Sequence, residues 1–129
     1  MPYTIEWEPQ GVVKRFTGLV SGAELVQSVN EVASHPGFRS LRYELSDYLG
    51  SDATDFSQNA LNEVRAMRIS SYQTNPHIRV AIVTLHPDIE QRIYSTIAAK
   101  LTLHQTKVFA SISEADQWLG RQQQPPISG

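Results

Sequence analysis

Polar and apolar residues alternate strictly over residues 3–8, with Tyr3, Ile5 and Trp7 on one side and Thr4, Glu6 and Glu8 on the other. A period of two marks a half-buried strand. Pro9, Gln10 and Gly11 supply turn chemistry, and "VVKRFTGLV" reads as a second strand. So short a link predicts an antiparallel hairpin. The period then changes. In "SGAELVQSVNEVASHPGF", Leu25, Val26, Val29, Val32 and Ala33 recur at helical spacing, and "HPG" stops the run. Ser21 followed three residues later by Glu24 is a capping-box pattern, which places the helix start at Ser21.

"SLRYELSDYL" sets Leu41, Tyr43 and Leu45 on one face and predicts a third strand, followed by a polar loop. Next comes "SQNALNEVRAMRISSYQT", with Ala60, Leu61, Val64, Met67 and Ser71 along one stripe of a second helix that Asn75 and Pro76 end. "IRVAIVTL" is apolar on both alternations, as a strand buried on both faces requires. Ile89, Ile93 and Ile97 define a third amphipathic helix to about Leu103. "TKVFAS" reads as a fifth strand. "SISEADQWL" reads as a last helix, with Ser113 as its candidate cap and Ala115, Trp118 and Leu119 facing inward. The order β-β-α-β-α-β-α-β-α predicts one α/β domain over residues 1–120, a five-stranded mixed sheet packed with four helices. Residues 121–129, polar and proline-containing without apolar period, are expected to form a flexible tail.

Composition narrows the function more than the fold. A chain of 129 residues fits one domain. A net charge of −2 speaks against a general nucleic-acid binder, which needs a basic face to displace counterions. With no cysteine there is no disulfide, thiolate metal site or cysteine nucleophile. The opening "MPYTIEWEPQ" lacks the basic and apolar regions of a signal peptide. No apolar run approaches the length of a membrane span. The expectation is a cytoplasmic protein without a membrane span.

These segments in this order, "YTIEWEPQGVVKRFTG", "SLRYELSDYL", "NPHIRVAIVTLHPDI" and "TKVFASISEADQWL", resemble the SpoIIAA-like family. That family is related in fold to STAS domains, the sulfate-transporter and anti-sigma-factor-antagonist module. The resemblance covers nearly all of residues 3–119 and lies in the ordered set, since no single short motif is diagnostic. It implies a SpoIIAA/STAS-like sheet, and a family whose members are largely of unestablished function. Sigma-regulating STAS proteins carry a phosphorylatable serine in a D-S-x-G motif before the helix that follows the third strand. Here the matching stretch is "DFSQNAL": Asp55 keeps the aspartate position, Phe56 takes the serine position and Gln58 the glycine position, and Ser57 comes one residue late.

Ser57 therefore has two readings. Serine at a helix start is explained by capping alone, because its oxygen accepts a backbone N–H left free in the first turn. The regulatory reading makes Asp55, Phe56, Ser57 and Asn59 a switch or interaction loop. Phe56, a large apolar residue in a polar stretch, either plugs the core or lines a pocket or partner surface. Tyr48, Tyr72 and Tyr94 are candidate walls of an apolar pocket. His35, His77, His86 and His104 are widely separated, with no metal-ligating spacing. His86 and Asp88 follow the fourth strand, where α/β folds place ligand contacts, although Asp88 is equally a helix cap. Arg39, Arg42, Arg65 and Arg68 read as a solvated surface. No phosphate cradle, nucleophile elbow or carboxylate pair is present, and no cofactor is implied. Two functions of different class follow. One is a non-enzymatic STAS-type interaction module, with a protein partner or a second copy of itself. The other is a domain that binds an apolar small molecule or lipid.

Overall fold

The computed structural model describes residues 3–89, 91 and 104–121. β1 (Tyr3–Trp7) and β2 (Gly11–Ser21) form the expected antiparallel hairpin, closed by Glu8 N–H donating to the Gly11 carbonyl at 2.8 Å. β3 (Tyr43–Asp55), β4 (Arg79–Val83) and β5 (Gln105–Phe109) then add in sequence order, each parallel to the one before. The result is a five-stranded mixed sheet in the order β1-β2-β3-β4-β5. Because β2 to β5 are parallel, each is followed by a helix that starts at the same edge of the sheet. These are α1 (Gly22–Ala33), α2 (Gln58–Thr74), α3, described at residues 87–89 and 91, and α4 (Ile112–Leu119).

The two faces of the sheet are covered unequally. On one, Val12, Phe16 and Val20 of β2, Tyr48 of β3 and Val80 of β4 pack beneath α1 and α2, with Ile89 of α3 joining them. On the other, Val13, Leu45, Ala81 and Val83 pack against Ala115, and Trp118 and Leu119 lie partly buried beside them. That second face has α4 alone for a cover among the described residues.

Local chemistry sets the helix boundaries. Ser21 caps α1 with both halves of the capping box formed, as its spacing with Glu24 predicts. Ser57 caps α2 by accepting from Ala60 N–H at 3.1 Å. The cap of α4 is Ser111 and not Ser113: the Ser111 hydroxyl accepts from Glu114 N–H at 3.3 Å, so the helix begins two residues earlier than expected. Gly120 ends α4 at φ 70°, a left-handed position that suits glycine.

Two further expectations need correction. The polar stretch after Leu49 is not a loop, because β3 runs on to Asp55, paired with residues 17–21 of β2. Two register shifts in that ladder absorb the irregular stretch, one at the positive-φ Gly18. Arg121, assigned by sequence to the tail, is fixed to the body. Its guanidinium holds both carboxylate oxygens of Glu8 at 2.9 Å and donates to Asp116 at 2.9 Å. The rest of the expected tail, residues 122–129, and the third helix beyond residue 91 lie outside the described residues.

Candidate functional site

Asp55 closes β3 opposite Ser21 at the edge where the helices begin, and its side chain is exposed. Phe56 turns back and packs, half-buried, on the cluster formed by Tyr3, Phe16, Val20, Leu25, Tyr48 and Ile89. Ser57 is exposed in extended backbone, with its hydroxyl committed to the Ala60 amide, and Asn59 faces solvent on the first turn of α2. The start of α2 presses against the start of α1. A Cβ on Gly22 would lie 2.6 Å from the Ala60 Cβ, so only glycine permits this approach. The candidate loop is thus held close to the body by one aromatic anchor, one cap and one helix contact.

Further along α2 is a polar cluster that the sequence did not bring together. Glu44, 1% exposed near the start of β3, accepts from Lys14 Nζ at 2.9 Å and from Arg68 at 2.6 and 3.3 Å. Lys14 is itself 1% exposed and lies 3.4 Å from the Ser28 hydroxyl of α1. Arg68, expected on a solvated surface, instead reaches inward and joins α2 to the sheet. Burial pushes the Glu44 carboxyl up, but the charges of Arg68 and Lys14 outweigh it and hold the group well below the usual carboxylate range. Burial also lowers the Lys14 pKa, against the opposing pull of Glu44. Such a cluster is no large source of stability, since desolvation offsets much of the attraction. It does impose one geometry: each cation has one carboxylate to meet.

The far end of α2 is fixed by Asn75. Its buried side-chain amide donates to the carbonyls of Phe38, Arg39 and Leu41, and its own carbonyl lies 2.6 Å from His104 Nε2. Burial lowers the His104 pKa, and its Nδ1 has no hydrogen-bond partner among the described residues. The helix is therefore secured at its start, along its length and at its end.

The remaining candidates are dispersed. Tyr48 is a core residue, stacked on Phe16 at 4.5 Å, and burial raises its pKa. Tyr72 meets the edge of His104 at 5.5 Å, and Tyr94 lies outside the described residues. Tyr48 and Tyr72 thus contact different groups. His86 is tied to the Ser51 carbonyl at 2.7 Å, Asp88 lies in the first turn of α3, and His35 stacks on Trp7 at 3.7 Å. Among the described residues no three His, Asp or Glu side chains form a metal-binding group. An open groove of about 730 Å³ runs past Glu6, Trp7, Glu8, Arg15, Tyr43 and Arg121 at the hairpin end, and neither Tyr48 nor Tyr72 lines it. No described helix is long and apolar enough to cross a membrane.

The strand order, with a hairpin leading into three parallel strands and α2 following the third strand, invites comparison with solved structures. The anti-sigma factor antagonist SpoIIAA in its unphosphorylated form matches with a TM-score of 0.61 at 10% identity, over 92% of this chain and 97% of that one. The chain has the SpoIIAA-like fold. An uncharacterised protein of the DUF3478 family from Shewanella loihica PV-4, also with a SpoIIAA-like fold, matches with a TM-score of 0.58 at 18% identity, over 91% of each chain. An anti-sigma factor antagonist from Mycobacterium paratuberculosis matches with a TM-score of 0.57 at 10% identity, over 92% of each chain. No family model matches the sequence, and no curated protein does.

The SpoIIAA-like fold makes the buried cluster easier to place. Lys14 falls between Val12 and Phe16 on β2, and Glu44 shares the alternation of Ser46 and Tyr48 on β3, so both charges stand on the helix-covered face. A charged residue on the apolar alternation of a strand is the signal that would have found them. Arg68 carries the helical counterpart of that signal, since it stands four residues after Val64 and three before Ser71 on the apolar stripe of α2.

Proposed function

We propose that this protein is a cytoplasmic regulatory module that acts by binding another protein and catalyses no reaction. Its recognition surface is the loop at residues 55–59 together with the first turns of α2. The observation that carries this reading is the fixing of α2 at three places, by Ser57 and Gly22, by Glu44, and by Asn75. A surface positioned in advance loses little conformational entropy when a partner docks. Structural likeness to SpoIIAA supports the reading, since that protein is described as an anti-sigma factor antagonist and is known in unphosphorylated and phosphorylated forms. In this chain Phe56 stands in the serine position and is an anchor, while Ser57 caps the helix. Recognition then rests on the shape and charge of Asp55 and Asn59 and needs no phosphate.

The test exchanges exposed side chains that the fold does not use. Asp55→Arg and Asn59→Arg are compared with the unaltered protein in affinity capture from a cytosolic extract, with thermal unfolding as the check on folding. The reading expects a protein retained by the original chain and lost by both variants at unchanged melting temperature. Equal retention by all three, or retention by none, refutes it.

A further inference from the structure

His104, the residue before β5, is 5% exposed, and its Nε2 lies 2.6 Å from the carbonyl oxygen of Asn75. A carbonyl only accepts, so the ring donates there and Nε2 carries the hydrogen. In the neutral ring that leaves Nδ1 as a bare acceptor. Nδ1 is buried and meets neither donor nor acceptor among the described residues. One contact thus sets the tautomer, and the second nitrogen has no partner for a proton.

The contact matters because of what Asn75 holds. Its side-chain amide donates to the carbonyls of Phe38, Arg39 and Leu41, its Oδ1 accepts from His77 N–H at 3.1 Å, and its own N–H donates to the Ser71 carbonyl at 2.8 Å. Asn75 therefore joins the end of α2, the turn before β3 and the approach to β4, and His104 adds the start of β5 to that junction. Protonation keeps the Nε2 bond but creates a second N–H at Nδ1, buried where nothing described accepts it. The groups around the ring are divided. The Asn75 carbonyl favours the added charge, and so does Glu44 of β3, although Glu44 is already matched by two cations. Arg68 of α2 opposes it, Tyr72 of α2 stands edge-on at 5.5 Å, and the Thr106 hydroxyl binds the His104 carbonyl and not the ring. Burial is the largest influence and acts against the proton.

We infer that His104 and Asn75 form a proton-sensitive latch, closed while the ring is neutral and opened by proton uptake at Nδ1, which frees the start of β5 from the end of α2. Because the closed form resists the proton, the open form takes it up first as pH falls. The latch is at full strength above the ordinary histidine value of about 6.5 and weakens as pH drops below it toward the folded-state value. It is independent of any partner at the first turn of α2, which lies at the other end of that helix.

Amide hydrogen exchange followed by NMR, at about pH 7.5 and about pH 5.5 and divided by the intrinsic rate at each pH, tests the latch. In the unaltered protein the amides of Asn75, His77 and the start of β5 are expected to open up to about tenfold more at the lower pH, one unit below the ordinary histidine value. The amides of the β1–β2 hairpin should not change. His104→Gln keeps an amide donor for the Asn75 carbonyl and cannot titrate, so its protection should be the same at both pH values. Nitrogen shifts of the His104 ring in the unaltered protein give a reading that needs no variant. They should show Nε2–H at neutral pH and protonation only below about pH 6.5. Exchange that ignores pH, an equal rise in His104→Gln, an equal rise in the hairpin, an Nδ1–H tautomer, or a ring that titrates at or above about pH 6.5 would each overturn the inference.

Discussion

Arg68 of α2 grips Glu44 of β3 through hydrogen bonds of 2.6 and 3.3 Å, beneath a helix whose exposed first turn is the proposed contact surface. Arg68 meets both Glu44 oxygens and Lys14 meets Oε1 as well, so two cations share one buried carboxylate. Removing the carboxylate leaves two unmatched charges in the core, whereas removing Lys14 leaves a balanced pair. Glu44→Gln is expected to cost about 3–5 kcal/mol of unfolding free energy, and Lys14→Met less than about half of that. Urea unfolding of both variants measures the difference, and the ranking is the point of the test.

Acid should act through the same carboxylate. The folded-state pKa of Glu44 lies below its unfolded value of about 4.3, so the unfolded chain takes up the proton first as pH falls. The stabilisation is complete above the unfolded value and is lost as pH drops toward the folded one. Glu8 shifts in the same direction, chiefly through its hydrogen bonds from Arg121. The urea midpoint of the unaltered protein is expected to fall more between pH 7 and pH 3 than that of Glu44→Gln. Parallel falls would show that Glu44 carries no such linkage.

Gly22 tests how closely α1 and α2 must meet. A methyl there would overlap the Ala60 Cβ, so Gly22→Ala is expected to destabilise by about 1–3 kcal/mol through overpacking. Adding Ala60→Gly removes the opposing methyl and should relieve the overlap, because the double variant only moves a first-turn glycine from α1 to α2. Thermal melts of the two single variants and the double variant give the coupling directly.

The start of α4 offers a sharper contrast. Ser111→Ala removes the oxygen that accepts from Glu114 N–H and should cost about 1 kcal/mol, while Ser113→Ala should change little. Equal effects would restore the boundary expected from sequence.

Where sequence succeeded and where it failed has a physical pattern. Strict alternation in β1, the double apolar alternation of β4 and the Ser21–Glu24 capping box each come from short-range rules, and each appears as read. Residues 50–55 carry no apolar alternation, and they are strand because β2 continues beside them, a partner that local pattern does not reveal. Asp55, Phe56, Ser57 and Asn59 were legible as a helix start, and Ser57 does cap it. Lys14, Glu44 and Arg68 were not legible as a group, because three residues from three elements meet only after the sheet has formed and α2 has packed on it. Ser111 was missed in favour of Ser113 because two serines flank one isoleucine, and the cap rule fits either.

Binding of a protein partner at the first turn of α2 is read out most directly by site-specific photo-crosslinking. A benzophenone amino acid replaces Asn59 at that turn or, as a control, the exposed Gln73 at the far end of the helix. After irradiation in cells, position 59 is expected to give one adduct of defined mass, abolished by Asp55→Arg, and position 73 none. No adduct from position 59, or the same adduct from both positions, would contradict it.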